Sequence, residues 1–298
     1  MKNIKTLPAL AGLLAATLAA VPTLRADYTD NLLVGWTFNT GSLASDLGSM
    51  NATFAQSGAG GSQTTTFNEG GTVSLGAGRQ LVASAINSTD LPSLGAGFTI
   101  WVRMSFDTVS SGSAVFGLIN GTAPLSDANK NIDRSATFGL ITASAGSSTA
   151  YFYGQAENSE GALTALSPGS GFPTVTTGPH YFDIAIRVND TGTNSSTYSS
   201  WVAGFGTTSR TFTGGTLDLI DFQSFSLGRL INAAGAGYTF DEVRIYDAVL
   251  SDVQLGEISA VAVPEPAQAA VLVGVAGLLV VAFRRKGRKA RAVSCSIL

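Results

Sequence analysis

The chain has a single cysteine, Cys295, and a single histidine, His180. A lone cysteine excludes an intrachain disulfide, so packing has to hold the fold together. A lone histidine excludes a two-histidine HExxH zinc site, and its position just before a strand expected at residues 181–188 makes it the end of a turn rather than a triad member. Charge is scarce as well, at 12% of residues, and it is unevenly spread. All 20 acidic residues but only 8 of the 17 basic ones lie between Ala26 and Arg284, so that interval carries a net charge of -12. Such a body repels phosphates, which argues against nucleic acid as a partner and leaves divalent cations as a more natural one. Long helical periodicity is missing too. In its place stand 35 glycines among abundant Ser and Thr, the composition of a β-rich extracellular protein with many turns.

Both ends of the chain carry apolar runs. Lys2 and Lys5 precede a nearly unbroken apolar run at residues 7–21, and Leu24-Arg25-Ala26 ends in a small residue. That is the layout of a secretory signal peptide over residues 1–26, cut after Ala26, with an uncleaved anchor as the alternative. At the other end, Val263-Pro264-Glu265-Pro266 precedes an uncharged run at 267–283 and then Arg284, Arg285, Lys286, Arg288, Lys289 and Arg291. As a helix the run spans roughly 25 Å, enough for a thin bilayer. The two prolines lack N–H donors and set where that helix begins, and the basic cluster keeps the following residues cytoplasmic, so the body lies outside. An ordinary single-pass anchor is the plain alternative. A GPI signal fits worse because a basic segment follows the apolar run, and Cys295-Ser296-Ile297-Leu298 has the form of a prenylation box that conflicts with export.

Between the ends, short segments of alternating polarity predict an all-β, two-sheet sandwich over residues 27–261. At 98–106, Phe98, Ile100, Val102, Met104 and Phe106 share one face, while Thr99, Trp101, Arg103 and Ser105 share the other. At 181–188, Phe182, Ile184, Ile186 and Val188 point inward. Further strands are expected at 32–38, 72–75, 81–83, 115–119, 136–142, 150–154, 199–204, 224–227 and 240–246. Ser251 and Gln254 form a capping-box pattern that opens one short helix to about Ile258.

Few residues carry chemistry. Parity puts Asp241 on the face of Val243 and Ile245, toward the core, where a charge needs compensation. Glu242 lies two residues before Arg244 on the outward face, where an ion pair or a solvated surface is expected, and Glu157 and Glu160 fall in a loop. The closely spaced carboxylates of a jelly-roll glycosidase strand are absent, so no catalytic residue is assigned. Sugar recognition needs aromatic faces with polar partners, for which Trp101, Trp201, Tyr151 and Tyr153 are the candidates beside the reading of each as core. Asn51, Asn87, Asn120 and Asn194 open Asn-x-Ser/Thr tripeptides that chance alone explains in so Ser- and Thr-rich a chain.

The end of the chain, residues 262–298, resembles the PEP-CTERM sorting signal of Gram-negative bacteria: the Val263 to Pro266 box, the apolar helix at 267–283 and the basic tail at 284–298 match in order and spacing. The resemblance implies export, transient membrane anchoring, recognition by an exosortase-type membrane protease, and delivery to the cell surface or an extracellular matrix. The segments Leu33-Val34-Gly35-Trp36-Thr37-Phe38, Gly97-Phe98-Thr99-Ile100-Trp101-Val102-Arg103, Phe225-Ser226-Leu227-Gly228 and the stretch from Phe240 to Ser251 resemble laminin-G-like, concanavalin-A-like jelly rolls. That resemblance implies a domain that binds glycans or proteins, and a structural calcium held by Asp46 and Asp241. Asn39 stands where an acidic residue is common. The expectation is a non-enzymatic surface or matrix protein meeting polysaccharide or a surface protein. A polysaccharide hydrolase and a purely structural spacer are the alternatives.

Overall fold

The structure, a computed structural model, describes residues 29–57, 65–76, 79–91, 94, 96–106, 113–119, 136–142, 149–157, 163–166, 174–176, 178–190, 195–213, 222–228 and 237–261. The expected signal peptide, the Val263 to Pro266 box, the apolar run and the basic tail all lie outside the described residues.

Sixteen strands form two antiparallel sheets among the described residues. The first contains β1 (Leu32–Trp36), β3 (Thr65–Asn68), β4 (Thr72–Leu75), β6 (Gly97–Phe106), β12 (Gly178–Asp190), β13 (Ser195–Val202), β14 (Gly206–Thr213) and β16 (Tyr238–Tyr246). Its order is β14-β13-β12-β6-β16-β4-β3, with β1 also beside β16. The second contains β2 (Ala55–Ser57), β5 (Gln80–Ala83), β7 (Ser113–Ile119), β8 (Ala136–Thr142), β9 (Thr149–Glu157), β10 (Leu163–Leu166), β11 (Thr174–Thr176) and β15 (Ser224–Gly228). Its order is β10-β9-β8-β7-β15-β5-β2, with β11 also beside β9.

The alternation in β6 decides which face looks inward. Phe98, Ile100, Val102, Met104 and Phe106 join Ile184, Ile186, Val243 and Ile245 from the same sheet, and Leu81, Phe116, Phe225 and Leu227 from the other, in one buried core. The two sheets therefore face each other as a β-sandwich. Trp36 of β1 bridges them, with its ring 4.4 Å from that of Phe54 and 6.2 Å from that of Phe225 on β15.

The single helix among the described residues, α1 (Asp252–Val261), starts where the sequence places it and runs about one turn further than expected. Its cap is reciprocal: the Ser251 N–H donates to Gln254 Oε1 at 2.9 Å, and the Gln254 N–H donates to Ser251 Oγ at 3.3 Å. No described helix is long and apolar enough to cross a membrane.

The segment that leads into α1 is strapped across the outer face of the first sheet. Thr99 Oγ1 donates to the Ala248 carbonyl at 2.7 Å and accepts from the Leu250 N–H at 2.9 Å. Arg187 donates to the Leu250 carbonyl at 2.9 Å, to Asp252 at 2.7 Å and to Thr207 Oγ1 at 2.6 Å. These ties order a stretch with little regular backbone pairing, and the outer face of β6 is nearly as buried as its inner face.

Candidate functional site

Antiparallel register lines up side chains from neighbouring strands in rows, and the outer face of the first sheet carries one charged row. Asp183 of β12 lies opposite Arg103 of β6, which in turn lies opposite Glu242 of β16. The next row holds Trp201, Ala185, Trp101 and Arg244. Arg103 meets Asp183 through two bonds, Nε to Oδ1 at 2.6 Å and Nη2 to Oδ2 at 2.8 Å, with both side chains buried. Arg244 pairs with Glu242 at 2.5 Å and lies over the Trp101 ring, 5.7 Å from its centroid.

Asp241 departs from the expected parity. The register slips between Phe240 and Glu242, a β-bulge that sets two β16 residues where one would stand. Phe240 remains in the core and Val243 and Ile245 return to it, but Asp241 does not share their face. Its half-buried carboxyl instead lies within electrostatic reach of Arg103, Glu242 and Asp183 on the outer side. Burial pushes its pKa from 3.8 up to about 6; Arg103 works against the rise, and Glu242 and Asp183 add to it. Glu242 is also raised, by burial first, against the charge and hydrogen bond of Arg244 and the charge of Arg103, with Asp46 adding to the rise. Among the described residues three carboxylates, those of Asp183, Asp241 and Glu242, thus share two guanidiniums, and Asp241 has no ion pair there.

The charged row ends at an aromatic rim. The turn between β13 and β14 is closed by the Phe205 N–H donating to the Val202 carbonyl at 3.0 Å, and the Ala203 N–H donates to the Asp183 carbonyl at 3.0 Å. Phe205, at that tip, is 59% exposed, and Tyr181, two residues before Asp183, is 43% exposed. They are the two most exposed aromatic side chains among the described residues. The sequence signal for Phe205 is its setting, Gly204-Phe205-Gly206, in which the left-handed φ values of both glycines turn the chain tightly. His180 is exposed beside Tyr181 and lies inside β12, which begins at Gly178 rather than Tyr181.

The expected stacking residues take other places. Trp101 is 0% exposed and Trp201 is buried, so neither offers a ring face to solvent in this conformation. Tyr151 and Tyr153 lie on β9, and their side chains are outside the described ones. Glu157 ends β9, opposite Leu163 of β10. Glu160 is outside the described residues.

The two aspartates of the expected calcium site have different surroundings. Asp46 is exposed, and both of its oxygens accept from Thr37: Oδ1 from the backbone N–H at 2.9 Å, Oδ2 from the hydroxyl. It caps the turn after β1. Among the described residues no three His, Cys, Asp or Glu side chains are grouped to hold a metal ion. A calcium shell of six to eight oxygens would therefore have to draw on carbonyl and amide oxygens beside Asp46 and Asp241.

No protein-family profile matches the chain, and no curated protein matches it in sequence. Solved structures match in shape. The binding domain of botulinum neurotoxin DC in complex with rat synaptotagmin II superposes with a TM-score of 0.55 at 10% identity, over 79% of this chain and 52% of that one. The same binding domain in complex with SialylT gives 0.53 at 11% identity, over 79% and 52%. A structure from work on the dependence of botulinum neurotoxin type C on two ganglioside molecules gives 0.54 at 11% identity, over 80% and 53%. The chain spans about half the length of these structures, and at this identity the likeness is one of fold.

Proposed function

We propose that this is an exported cell-surface or matrix protein whose single laminin-G-like sandwich binds glycan or a surface protein without catalysing a reaction. The observation that supports the reading is the architecture: a two-sheet sandwich of the shape seen in binding domains solved in complex with rat synaptotagmin II and with SialylT, a likeness of fold from which the function is argued by analogy. The acidic body and the aromatic rim beside a charged row support it, since sugar recognition joins aromatic faces to carboxylates. In this reading residues 1–26 direct export through signal peptidase, and residues 262–298 act as a PEP-CTERM signal handled by an exosortase. The support for both is the order of charge, proline and apolar run in the sequence.

Two measurements test the proposal. The full-length chain, solubilised in detergent and applied to a glycan array and to immobilised cell-surface extract, is expected to be retained; retention on neither overturns the binding role. Mass spectrometry of the native protein is expected to find a C-terminus upstream of Arg284 in the surface or extracellular fraction. Intact protein starting at Met1 in the cytosol would overturn the sorting role.

A further inference from the structure

We infer that β14 is the edge along which two copies of this chain pair, antiparallel about a two-fold axis at Ser209, so that their first sheets join into one. This surface is additional to the binding role and independent of which ligand the sandwich takes.

A strand at the margin of a sheet leaves a row of N–H and C=O groups unpaired, and folds blunt such rows with short strands, charges, prolines or bulges. The other marginal strands are short or covered. β2, β3, β10 and β11 have three or four residues each, and beside β1 the Met50 N–H donates to the Leu33 carbonyl at 2.8 Å and the Gly35 N–H to the Leu47 carbonyl at 3.0 Å. β14 has neither protection. It is eight residues long, pairs rung by rung with β13, contains no proline and no acidic residue, and among the described residues has a strand on one side only. Gly206, Thr207 and Ser209 along it are exposed. The two most exposed large apolar side chains among the described residues stand at its start. Phe205, 59% exposed, immediately precedes it, and Val253, 69% exposed, follows Asp252, whose carboxylate accepts from Thr207 Oγ1 at 2.8 Å. An open edge flanked by exposed apolar side chains is a place for another strand to be added.

The residues of β14 select a second copy as that strand. A two-fold axis normal to the sheet preserves its faces, so residues opposite each other share parity. Arg210 on the axis would stand against its own copy. Ser209 on the axis instead sets Ser209 against Ser209, Thr207 against Thr211 and Arg210 against Thr208, hydroxyl pairs that suit neighbouring strands and no like charges opposed. The same register puts Phe212 of the second copy opposite Gly206, next in line to the exposed Phe205, and the symmetry repeats this at the far end. Each edge supplies what the other lacks. The body carries a charge of -12, yet none of its acidic residues lies on β13 or β14, so two acidic bodies meet along strands that carry no acid themselves.

Sedimentation velocity of the detergent-solubilised full chain, over about 1–100 μM, tests this. Wild type is expected to pass from monomer to dimer as concentration rises. Ser209→Asp and Ser209→Lys, changes at an exposed position, each set like charges face to face on the axis and are expected to raise the dissociation constant about fivefold. Mixed in equal amounts, the two variants are expected to recover the dimer, because opposite charges then meet. Recovery of that kind cannot come from chains that fail to fold. Phe205→Ala is expected to raise the constant about tenfold, since the symmetry counts the lost burial twice. Phe67→Ala, at the β3 margin of the same sheet, leaves it unchanged. Wild type that stays monomeric throughout overturns the pairing and leaves the edge to a strand from another protein. A dimer that tolerates both Ser209 changes, or variants that fail to recover on mixing, overturns β14 as the contact.

Discussion

Arg103 and Asp183 are joined twice across β6 and β12, at 2.6 and 2.8 Å, on a sheet face buried almost as fully as the core. A pair of this kind adds little net stability compared with well-packed apolar residues, yet removing one member leaves a buried charge alone. Asp183→Ala is therefore expected to cost about 3–5 kcal/mol by urea denaturation. Replacing both together, Arg103→Met with Asp183→Leu, is expected to recover most of that loss. Equal losses in the single and double variants would show that the ion pair itself carries the stability.

Stability should fall as the medium moves from acid toward neutral. Asp241 binds its proton more tightly folded than unfolded, because its pKa rises from 3.8 to about 6, and Glu242 shifts in the same direction. Their contribution is complete below the unfolded value and is lost as pH climbs through about 6. Asp252 acts in the opposite sense. Burial favours its protonated form, but hydrogen bonds from Thr207 and Arg187 and the charge of Arg187 prevail and lower its pKa, so its contribution is lost as pH drops below the ordinary carboxylate range. The melting temperature is expected to peak near pH 4 to 5 and decline toward 7. Asp241→Asn should flatten the decline; an unchanged slope in that variant would locate the titration elsewhere.

Ser251→Ala removes the hydroxyl that accepts from Gln254 N–H, at an expected cost of about 1 kcal/mol. Ser251→Asp should retain most of the stability, since its carboxylate caps the same N–H. Thermal melts of the two variants side by side provide the check, and equal losses would count against the cap.

Chelation with EGTA is expected to leave the melting temperature unchanged, because Asp46 already caps Thr37 through both oxygens and no described acidic trio supplies a calcium shell. A fall restored by calcium but not by magnesium would mean that residues outside the described ones complete a site.

Much of this architecture is legible in the chain because alternation survives wherever a strand has one face on the core. The expected strands at 72–75 and 136–142 coincide with β4 and β8, and the inward set of β6 is the one its pattern gives. β14 escapes the same reading because Gly206-Thr207-Thr208-Ser209 and the residues after it resemble a loop in composition. It is a strand because β13 supplies a full ladder from Ser195↔Thr213 to Val202↔Gly206. β2, β3, β10 and β11, at three or four residues each, stand outside the expected set.

The site was harder to read than the fold. Parity tells which face a residue takes and nothing about what covers that face, so Trp101 and Trp201 share the side of the charged row but lie buried. Asp241 fails for another reason: alternation assumes one residue per rung, and a bulge inserts a second. Phe205 drew no reading, because its setting between Gly204 and Gly206 marks a turn and says nothing of the exposure of the ring.

The strands nearest the two ends of the sandwich lie side by side. Leu32 pairs with Tyr246, and the Asp247 N–H donates to the Asn31 carbonyl at 3.0 Å. The neighbours at this seam are thus the first and last of the described strands to be threaded, so the sheet closes here only after the rest of the sandwich has been made.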